Sequence, residues 1–494
     1  MDERPDSHRT RRGLVLAAMM LAMFMAAVEA TIVATAMPTI VADLGGFSLF
    51  SWVFAIFLLA QAVTIPVYGK LADMRGRKPV FYVGTTIFLV GSLLCGFAHT
   101  MIQLVVLRAV QGVGAGAVQP IATTIVGDIY TPAERARIQG WLSSVWGISS
   151  VIGPALGAFF AEKLTWSLVF WVNLPIGIAS MLMLATYLHE DVEHREHQVD
   201  YLGSVLLMVS TTLVMLALIQ YDQLSRQGGY ALPALVVLGV AGLVAFFFHE
   251  RRAPEPLLPL SLWKDRVIAV GNSGALITGA LMMGITSFLP TYVQGVMARS
   301  AMVAGFALAM MSIGWPLASV VAGRLMLRTS YRFTAIAGGV ALIAGAGLLM
   351  ALSPGHGPLF AAGASFVTGT GMGLTSTVFI VSIQTAVPWK QRGAATSSNM
   401  FSRIVGQAVG TALFGAVLNV GISERAGRGA LSSGSLDLLM DPVKRKTLEP
   451  DRLHELSNAM AGALHNVYVI GGVLAALTFF VVLALPLQLR PEED

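Results

Sequence analysis

Fourteen apolar runs, each long enough to cross a bilayer, constrain this chain more than any other feature. They fall near residues 14–38, 49–68, 79–98, 103–127, 138–160, 166–188, 201–220, 230–249, 267–292, 301–323, 333–352, 357–386, 395–420 and 462–488. An α-helix rises about 1.5 Å per residue, so roughly 20 residues cross the hydrocarbon core. In lipid a backbone must satisfy its own hydrogen bonds, and runs of this length do so as helices. The expected fold is therefore an all-α polytopic membrane protein. Composition agrees: charged residues are 12% of the chain, against about 25% in a typical soluble domain. The first run follows Arg9-Thr-Arg-Arg12 and is too long for the apolar core of a cleaved signal, so it reads as a retained helix. A single cysteine, Cys95, excludes an intrachain disulfide.

An even number of spans puts both termini on one side. That side then holds Arg4, Arg9, Arg11, Arg12, Lys70, Arg75, Arg77, Lys78, Arg135, Arg137, Arg251, Arg252, Lys264, Arg266, Arg324, Arg328, Arg332, Lys390 and Arg392. The short loops opposite hold Lys163, Arg226 and Arg299. The positive-inside rule makes the termini cytoplasmic. Segment 421–460, with six basic and six acidic residues, is long enough to escape that rule.

A weak internal repeat divides the chain. Gly112-Val-Gly-Ala-Gly116 and Gly369-Thr-Gly-Met-Gly373 lie 257 residues apart, and the same offset relates Arg135 to Arg392 and Gly153 to Gly410. Parallel repeats build the two halves of one large class of secondary transporters. The expected organisation is a cytoplasmic N-terminus at 1–13, a six-helix bundle at 14–188 and a two-helix insert with linkers at 189–266. A second six-helix bundle follows at 267–488, including the extracytoplasmic loop 421–460, then a cytoplasmic tail at 489–494. The linker HEDVEHREHQVD offers His189, His194 and His197 to a metal, but a solvated loop is the preferred reading and no metal site is assigned. The Pro-interrupted, amphipathic 254–266 reads as a connector along the membrane surface.

The chemistry sits in a few polar residues inside apolar runs. Glu29 is the sole ionisable group of the first. A charged carboxylate is costly in lipid, so a proton becomes accessible to it near neutral pH, the raw material of proton coupling. The alternative is a carboxylate permanently neutralised by a partner helix. Leu107-Arg108-Ala-Val-Gln111-Gly112 puts an arginine in the fourth run, where it needs a carboxylate or a polar cavity; packing on backbone carbonyls is its alternative. The loop Gly69-Lys-Leu-Ala-Asp73-Met-Arg-Gly76-Arg77-Lys78 joins two helices by a tight turn, with charges able to form a latch or a static ion network. Gly153-Pro154-Ala-Leu-Gly157 permits close packing and a kink. Gln61, Gln119, Asn272, Gln294 and Gln384, with aromatics such as Trp52, Phe54, Phe57, Trp146, Phe288 and Tyr292, are candidates to line a substrate cavity. Helix–helix hydrogen bonds and lipid contact are the competing roles. Neither a phosphate-cradling Walker loop nor HExxH occurs, so no enzyme chemistry follows.

In this order these motifs resemble the major facilitator superfamily. The loop from Gly69 to Lys78 matches its first signature, the Arg108 helix its second, and Gly153, Pro154 and Gly157 its antiporter signature. Fourteen spans, Glu29-Ala-Thr-Ile-Val, Phe170-Trp-Val-Asn-Leu-Pro-Ile-Gly177 and Leu464-His-Asn-Val look like the EmrB/QacA-type drug:proton antiporters. The departures are Glu29 where relatives commonly carry Asp, Met74 for a second arginine, and Ala158 for glycine. In the second half Gly323-Arg-Leu-Met-Leu-Arg328 lacks the loop acid. The resemblance implies alternating access in a bacterial cytoplasmic membrane, with protons exchanged for hydrophobic, often cationic compounds. It further implies Glu29 and Arg108 in coupling, a monomer as functional unit, no cofactor beyond the proton gradient, and no nucleic-acid partner. A dedicated exporter of one metabolite, or a non-transporting membrane sensor, are the alternatives.

Overall fold

The computed structural model describes residues 10–486, apart from 131, 191–199, 222–223, 225–229, 255, 257–261, 354, 388–391, 427–438, 441–444 and 446–447. The N-terminal half holds α1 (Arg12–Leu44), α2 (Phe50–Arg75), α3 (Arg77–Cys95), α4 (Met101–Ile129), α5 (Pro132–Lys163), α6 (Leu168–Trp171) and α7 (Asn173–Tyr187). Between the halves lie α8 (Tyr201–Ile219) and α9 (Ala231–Glu250). The second half holds α10 (Arg266–Thr291), α11 (Ala301–Arg328), α12 (Tyr331–Met350), α13 (Pro358–Thr385), α14 (Arg392–Ala426) and α15 (Pro450–Leu483). With α6 and α7 counted as one broken span, fourteen segments among the described residues are long and apolar enough to cross a membrane. Among the described residues there is no strand.

Side-chain acceptors start several helices where their first N–H groups lack partners. Thr100, Asp200, Asp265, Ser300 and Ser330 each accept from the turn that follows. The last two helices reach into the segment expected to be a loop at 421–460: α14 runs to Ala426 and α15 starts at Pro450, twelve residues before the apolar run. Proline at the first helical position costs no hydrogen bond, so a helix starts there although the residues are polar. Of the expected surface connector, Leu262–Lys264 forms a 3-10 turn. Most of its remainder lies outside the described residues, as do His194 and His197.

The glycine repeat explains why the halves look alike. A Cβ on Gly112 would sit 2.4 Å from the Phe57 carbonyl of α2, and one on Gly114 2.2 Å from Phe88 N of α3. In the second half a Cβ on Gly369 would meet the Met311 carbonyl of α11 at 2.1 Å, and one on Gly371 Leu342 of α12 at 2.7 Å. Thus α4 is wedged between α2 and α3 as α13 is between α11 and α12. Likewise Gly153 and Gly157 seat α5 on α1 at Thr31 and Ile32, and Gly406 and Gly410 seat α14 on α10 at Leu276 and Ala280. Without a hydrophobic drive between helices in lipid, such close backbone approach is what binds them.

The halves meet chiefly through α2 with α14 and α5 with α11, while α8 of the insert packs against both α2 and α14 along that seam. By contrast α9 rests on α8 and turns Val237, Leu238 and Phe248 outward.

Candidate functional site

Glu29 sits midway along α1 with 1% of its surface exposed, and both of its oxygens are engaged. Arg108 Nη1 of α4 forms an ion pair with Oε1, and Asn173 Nδ2 donates to Oε2 at 2.7 Å. The same Arg108 Nη1 reaches Gln111 Oε1 at 2.6 Å, and its Nε donates to the Val53 carbonyl of α2 at 3.1 Å. Its guanidinium carbon also lies 4.0 Å from the centre of the Phe57 ring. A delocalised cation suits that stacked position better than an ammonium. Ser92 Oγ of α3 accepts from Gln111 Nε2 at 3.0 Å and Asn173 Nδ2 at 2.9 Å, and donates to the Phe170 carbonyl at 2.9 Å. One buried network thus joins five spans of the N-terminal half, the broken sixth span through both α6 and α7. A buried ion pair survives in low dielectric only when its remaining donors and acceptors are satisfied, and these nearly are. Asn173 Oδ1 is the exception, buried without a partner.

Asn173 is aimed inward because the sixth span breaks at Val172, so that α7 begins at this residue. Arg108 and Gln111, three residues apart, share one face of α4. Sequence reasoning singled out Glu29 and Arg108 and missed Asn173, Gln111 and Ser92 as their partners. The signal was present for Gln111, an amide one helical turn from an intramembrane arginine.

At the helix ends opposite the termini, side chains from the two halves close together. Gln294 Nε2 donates to the Thr35 carbonyl of α1 at 3.2 Å, and Asn419 Nδ2 donates to the carbonyls of Ser48 and Ile219 at 3.3 and 3.2 Å. Phe288 of α10 stacks on Phe50 of α2 with ring centres 5.4 Å apart and meets Phe414 of α14 at 6.3 Å. A Cβ on Gly305 of α11 would lie 3.0 Å from the Pro154 carbonyl, so the antiporter signature faces the other half as well as α1. Arg445 crosses over this closure and donates to the carbonyls of Gln294 and Gly295 at 3.2 and 2.8 Å. Burial pushes its guanidinium below the usual arginine range, which a cation clamped on helix-end carbonyls tolerates.

The loop signature lies at the other end. Gly76 adopts φ 94°, which a side chain would resist, and turns the chain from α2 into α3. The freed N–H groups of Arg77 and Lys78 donate to the Glu190 carboxylate at 2.6 and 2.8 Å, a charge-assisted helix cap. Lys78 Nζ donates to the carbonyls of Ala185 and Leu188, and Arg77 Nε pairs with Asp128 Oδ2 at 3.0 Å. These contacts tie the loop to α4 and α7 of its own half. A Cβ on Gly69 would meet nothing within 4 Å, and the Asp73 side chain lies outside the described residues.

The cavity candidates separate into two groups. Asn272 is fully buried, donating to Ser398 Oγ at 3.0 Å, while Gln384 Nε2 donates to Thr396 Oγ1 at 3.1 Å; both join helices of the second half. Phe288 and Tyr292 are sealed, the latter packed on Tyr468. Gln61, Gln119 and Trp146 remain half-buried.

The family model of the Major Facilitator Superfamily matches residues 19–411. "Multidrug resistance protein 3" of Bacillus subtilis is 34% identical over 94% of this chain and 94% of its own length. "Multidrug transporter protein MdtP" of the same organism is 33% identical over 84% of this chain and 76% of its own. Among solved structures, a bacterial homologue of the human lysosomal transporter Spinster, in an inward-facing and unoccupied conformation, superposes with TM-score 0.71 at 16% identity, covering 96% of this chain and 97% of that one. The chain therefore belongs to the Major Facilitator Superfamily, a multi-pass membrane transporter fold with fourteen candidate spans.

Proposed function

We propose that this protein is a proton-coupled efflux carrier that exports small lipophilic compounds by alternating access, from a bacterial cytoplasmic membrane with both termini inside. The relatives named for multidrug resistance and multidrug transport support the substrate class. The single observation that carries the coupling is Glu29 paired with Arg108 inside the membrane span.

The geometry suggests how one proton does work. While Glu29 is ionised, it holds Arg108 and Asn173 on α1. Protonation removes the counter-charge and turns one acceptor oxygen into a donor, so the bond to Arg108 or to Asn173 is lost. Arg108 then rests on Gln111, Val53 and Phe57. Thr35 lies six residues beyond Glu29 on α1, about 9 Å along the helix, and carries the carbonyl that Gln294 of the other half grips. A shift of α1 on protonation therefore acts directly on the closure between the halves. In this conformation the carboxylate meets its partners rather than open space, so its influence on substrate passes through α1 and α4.

The test is uphill flux of ethidium in proteoliposomes under an imposed pH gradient. The wild-type carrier drives flux that collapses with the gradient, whereas Glu29→Gln, purified as a monodisperse carrier, gives only passive equilibration. Gradient-driven flux by that variant at the wild-type rate refutes the coupling role.

A further inference from the structure

A groove lies where the insert meets the second half. Asn419 Nδ2 donates to the Ile219 carbonyl, which ties the end of α8 to α14, and α15 packs on α14 as well. Between them a groove of about 240 Å³ is floored by Val417, Val420 and Gly421 of α14 and walled by Leu218 of α8 and Asn466 of α15. Two exposed side chains, Tyr221 and Glu424, complete it. Sites that enclose a drug-sized ligand run to roughly 300–1,000 Å³, so this one suits a narrower body.

The sequence gives its level in the membrane. Tyr221 is the first residue after the apolar run 201–220, Glu424 lies just beyond the run 395–420, and Asn466 stands just inside the run 462–488. Three polar groups on three chain segments thus meet at one edge of the hydrocarbon, where an amphipathic tyrosine is at home. From that edge the floor runs inward as one face of α14, since Val417, Gly421 and Glu424 follow at i, i+4 and i+7. The opening faces lipid. Asn466, Val473 and Leu477 follow at i, i+7 and i+11 on α15, and Val473 and Leu477 are exposed.

The charges at this edge are not paired with each other. Arg425 Nη1 donates to the Gly421 carbonyl at 2.7 Å, and its guanidinium covers Gly462 of α15, where a Cβ would lie 2.8 Å from Nε. Among the described residues it makes no further hydrogen bond and no ion pair, and the side chains of Glu424, Tyr221 and Asn466 make none. Successive residues of a helix point about 100° apart, so Glu424 and Arg425 stand side by side without meeting. A carboxylate and a guanidinium held apart over an apolar groove complement an amphiphile whose headgroup carries both a cation and an anion.

We propose that this groove binds one phospholipid of the leaflet opposite the termini, with a zwitterionic headgroup ending in a primary amine, as in phosphatidylethanolamine. Its ammonium sits on Glu424, its phosphate on Arg425, and one acyl chain lies along Val417, Val420 and Leu218. A guanidinium matches a phosphate with paired N–H donors. A primary ammonium donates three N–H bonds to acceptors such as a carboxylate, whereas a quaternary one has none to give. The bound lipid fills the cleft beside Asn419, which holds both Ile219 and Ser48, and so braces the insert where the halves close. None of these residues belongs to the Glu29–Arg108 network, so lipid binding and coupled flux are separate properties of the carrier.

The experiment exposes the purified, delipidated full-length carrier in detergent to an equimolar mixture of phosphatidylethanolamine, phosphatidylcholine and phosphatidylglycerol with identical chains. Native mass spectrometry reads which lipid stays bound. The wild type retains phosphatidylethanolamine over each of the others by at least about threefold, and Glu424→Gln brings its ratio to phosphatidylcholine to within about 1.5-fold of unity. Arg425→Gln lowers retention of all three lipids. Val420→Trp fills the groove with both charges intact and abolishes the preference. Equal retention of the three lipids by the wild type, unchanged retention in Arg425→Gln, or a preference surviving in Glu424→Gln or Val420→Trp overturns the site. Should Val420→Trp not purify as a monodisperse carrier, Glu424→Gln, an exposed position at a helix end, decides alone. Glycerophosphoethanolamine, the same headgroup without chains, does not displace the lipid in excess; displacement would make the occupant a soluble zwitterion and overturn the lipid.

Discussion

Glu29→Gln is the perturbation whose cost can be worked from the structure. The side chain keeps its shape and its 1% exposure but loses its charge and one acceptor. Its amide NH2 must face either Arg108 Nη1 or Asn173 Nδ2, both donors, so one of two bonds is lost whichever way it turns. Arg108 loses its counter-charge and retains Gln111, Val53 and the Phe57 face. Removing one partner of a buried pair costs about 3–5 kcal/mol. With part of the cation's environment kept, about 3 kcal/mol is expected, at the low end of that range. Arg108→Gln leaves the opposite fault, a buried carboxylate that a proton can cure, so that variant gains stability as pH falls while Glu29→Gln does not. The double variant Glu29→Gln, Arg108→Gln restores neutrality and is less destabilised than the sum of the singles by at least about 2 kcal/mol. Thermal unfolding in detergent at pH 5 and pH 8, followed by circular dichroism, reads all four proteins. Additive losses, or single variants as stable as wild type, would refute the claim that this pair is a coupled charge switch.

Further outcomes follow from the packing and the closure. Gly369→Val must push the Met311 carbonyl away from a Cβ built 2.1 Å from it and costs at least about 2 kcal/mol, whereas Gly363→Ala, with nothing within 4 Å, is neutral or stabilising by up to about 1 kcal/mol; thermal unfolding compares them. Gly415→Leu wedges α14 from α2, because a Cβ there lies 2.4 Å from Ser51 Cβ. A cysteine at Phe288 should then be alkylated by a water-soluble maleimide several-fold faster than in the Gly415 parent. Arg445→Ala frees the carbonyls of Gln294 and Gly295 and should loosen the same closure, raising maleimide access at position 288. Glu190→Gln replaces a charged helix cap by a neutral one and should weaken protection of the Arg77 and Lys78 amides in hydrogen exchange.

The helices and their pairing were legible because lipid leaves an apolar run few alternatives, and because glycine at 112, 114 and 116, repeated at 369, 371 and 373, marks where backbones touch. Glu29 and Arg108 were legible for the same reason, since charge in an apolar run is conspicuous. Their partners were less so. Asn173 becomes a ligand of the carboxylate only because the helix breaks at Val172, a three-dimensional event that spacing does not announce. Glu190 lies 113 residues from the helix it caps, a separation beyond any local pattern. Phe288 and Tyr292 show the opposite difficulty: aromatics in a membrane helix fit a cavity wall and a closed seam equally well, and both are sealed here. Arg403 carried the same signal as Arg108, an arginine in an apolar run, and the fold shows that Arg108 is paired with Glu29 whereas no described residue pairs with Arg403.

The most direct test of coupling is proton exchange on ligand binding. Purified carrier in weakly buffered detergent solution is mixed with ethidium at several pH values, and pH-indicator absorbance counts protons released per ligand bound. The wild type should release protons in a pH-dependent fraction approaching one per ligand, and Glu29→Gln should bind ethidium with no release. Equal release by both would place the exchanging proton elsewhere and contradict the account.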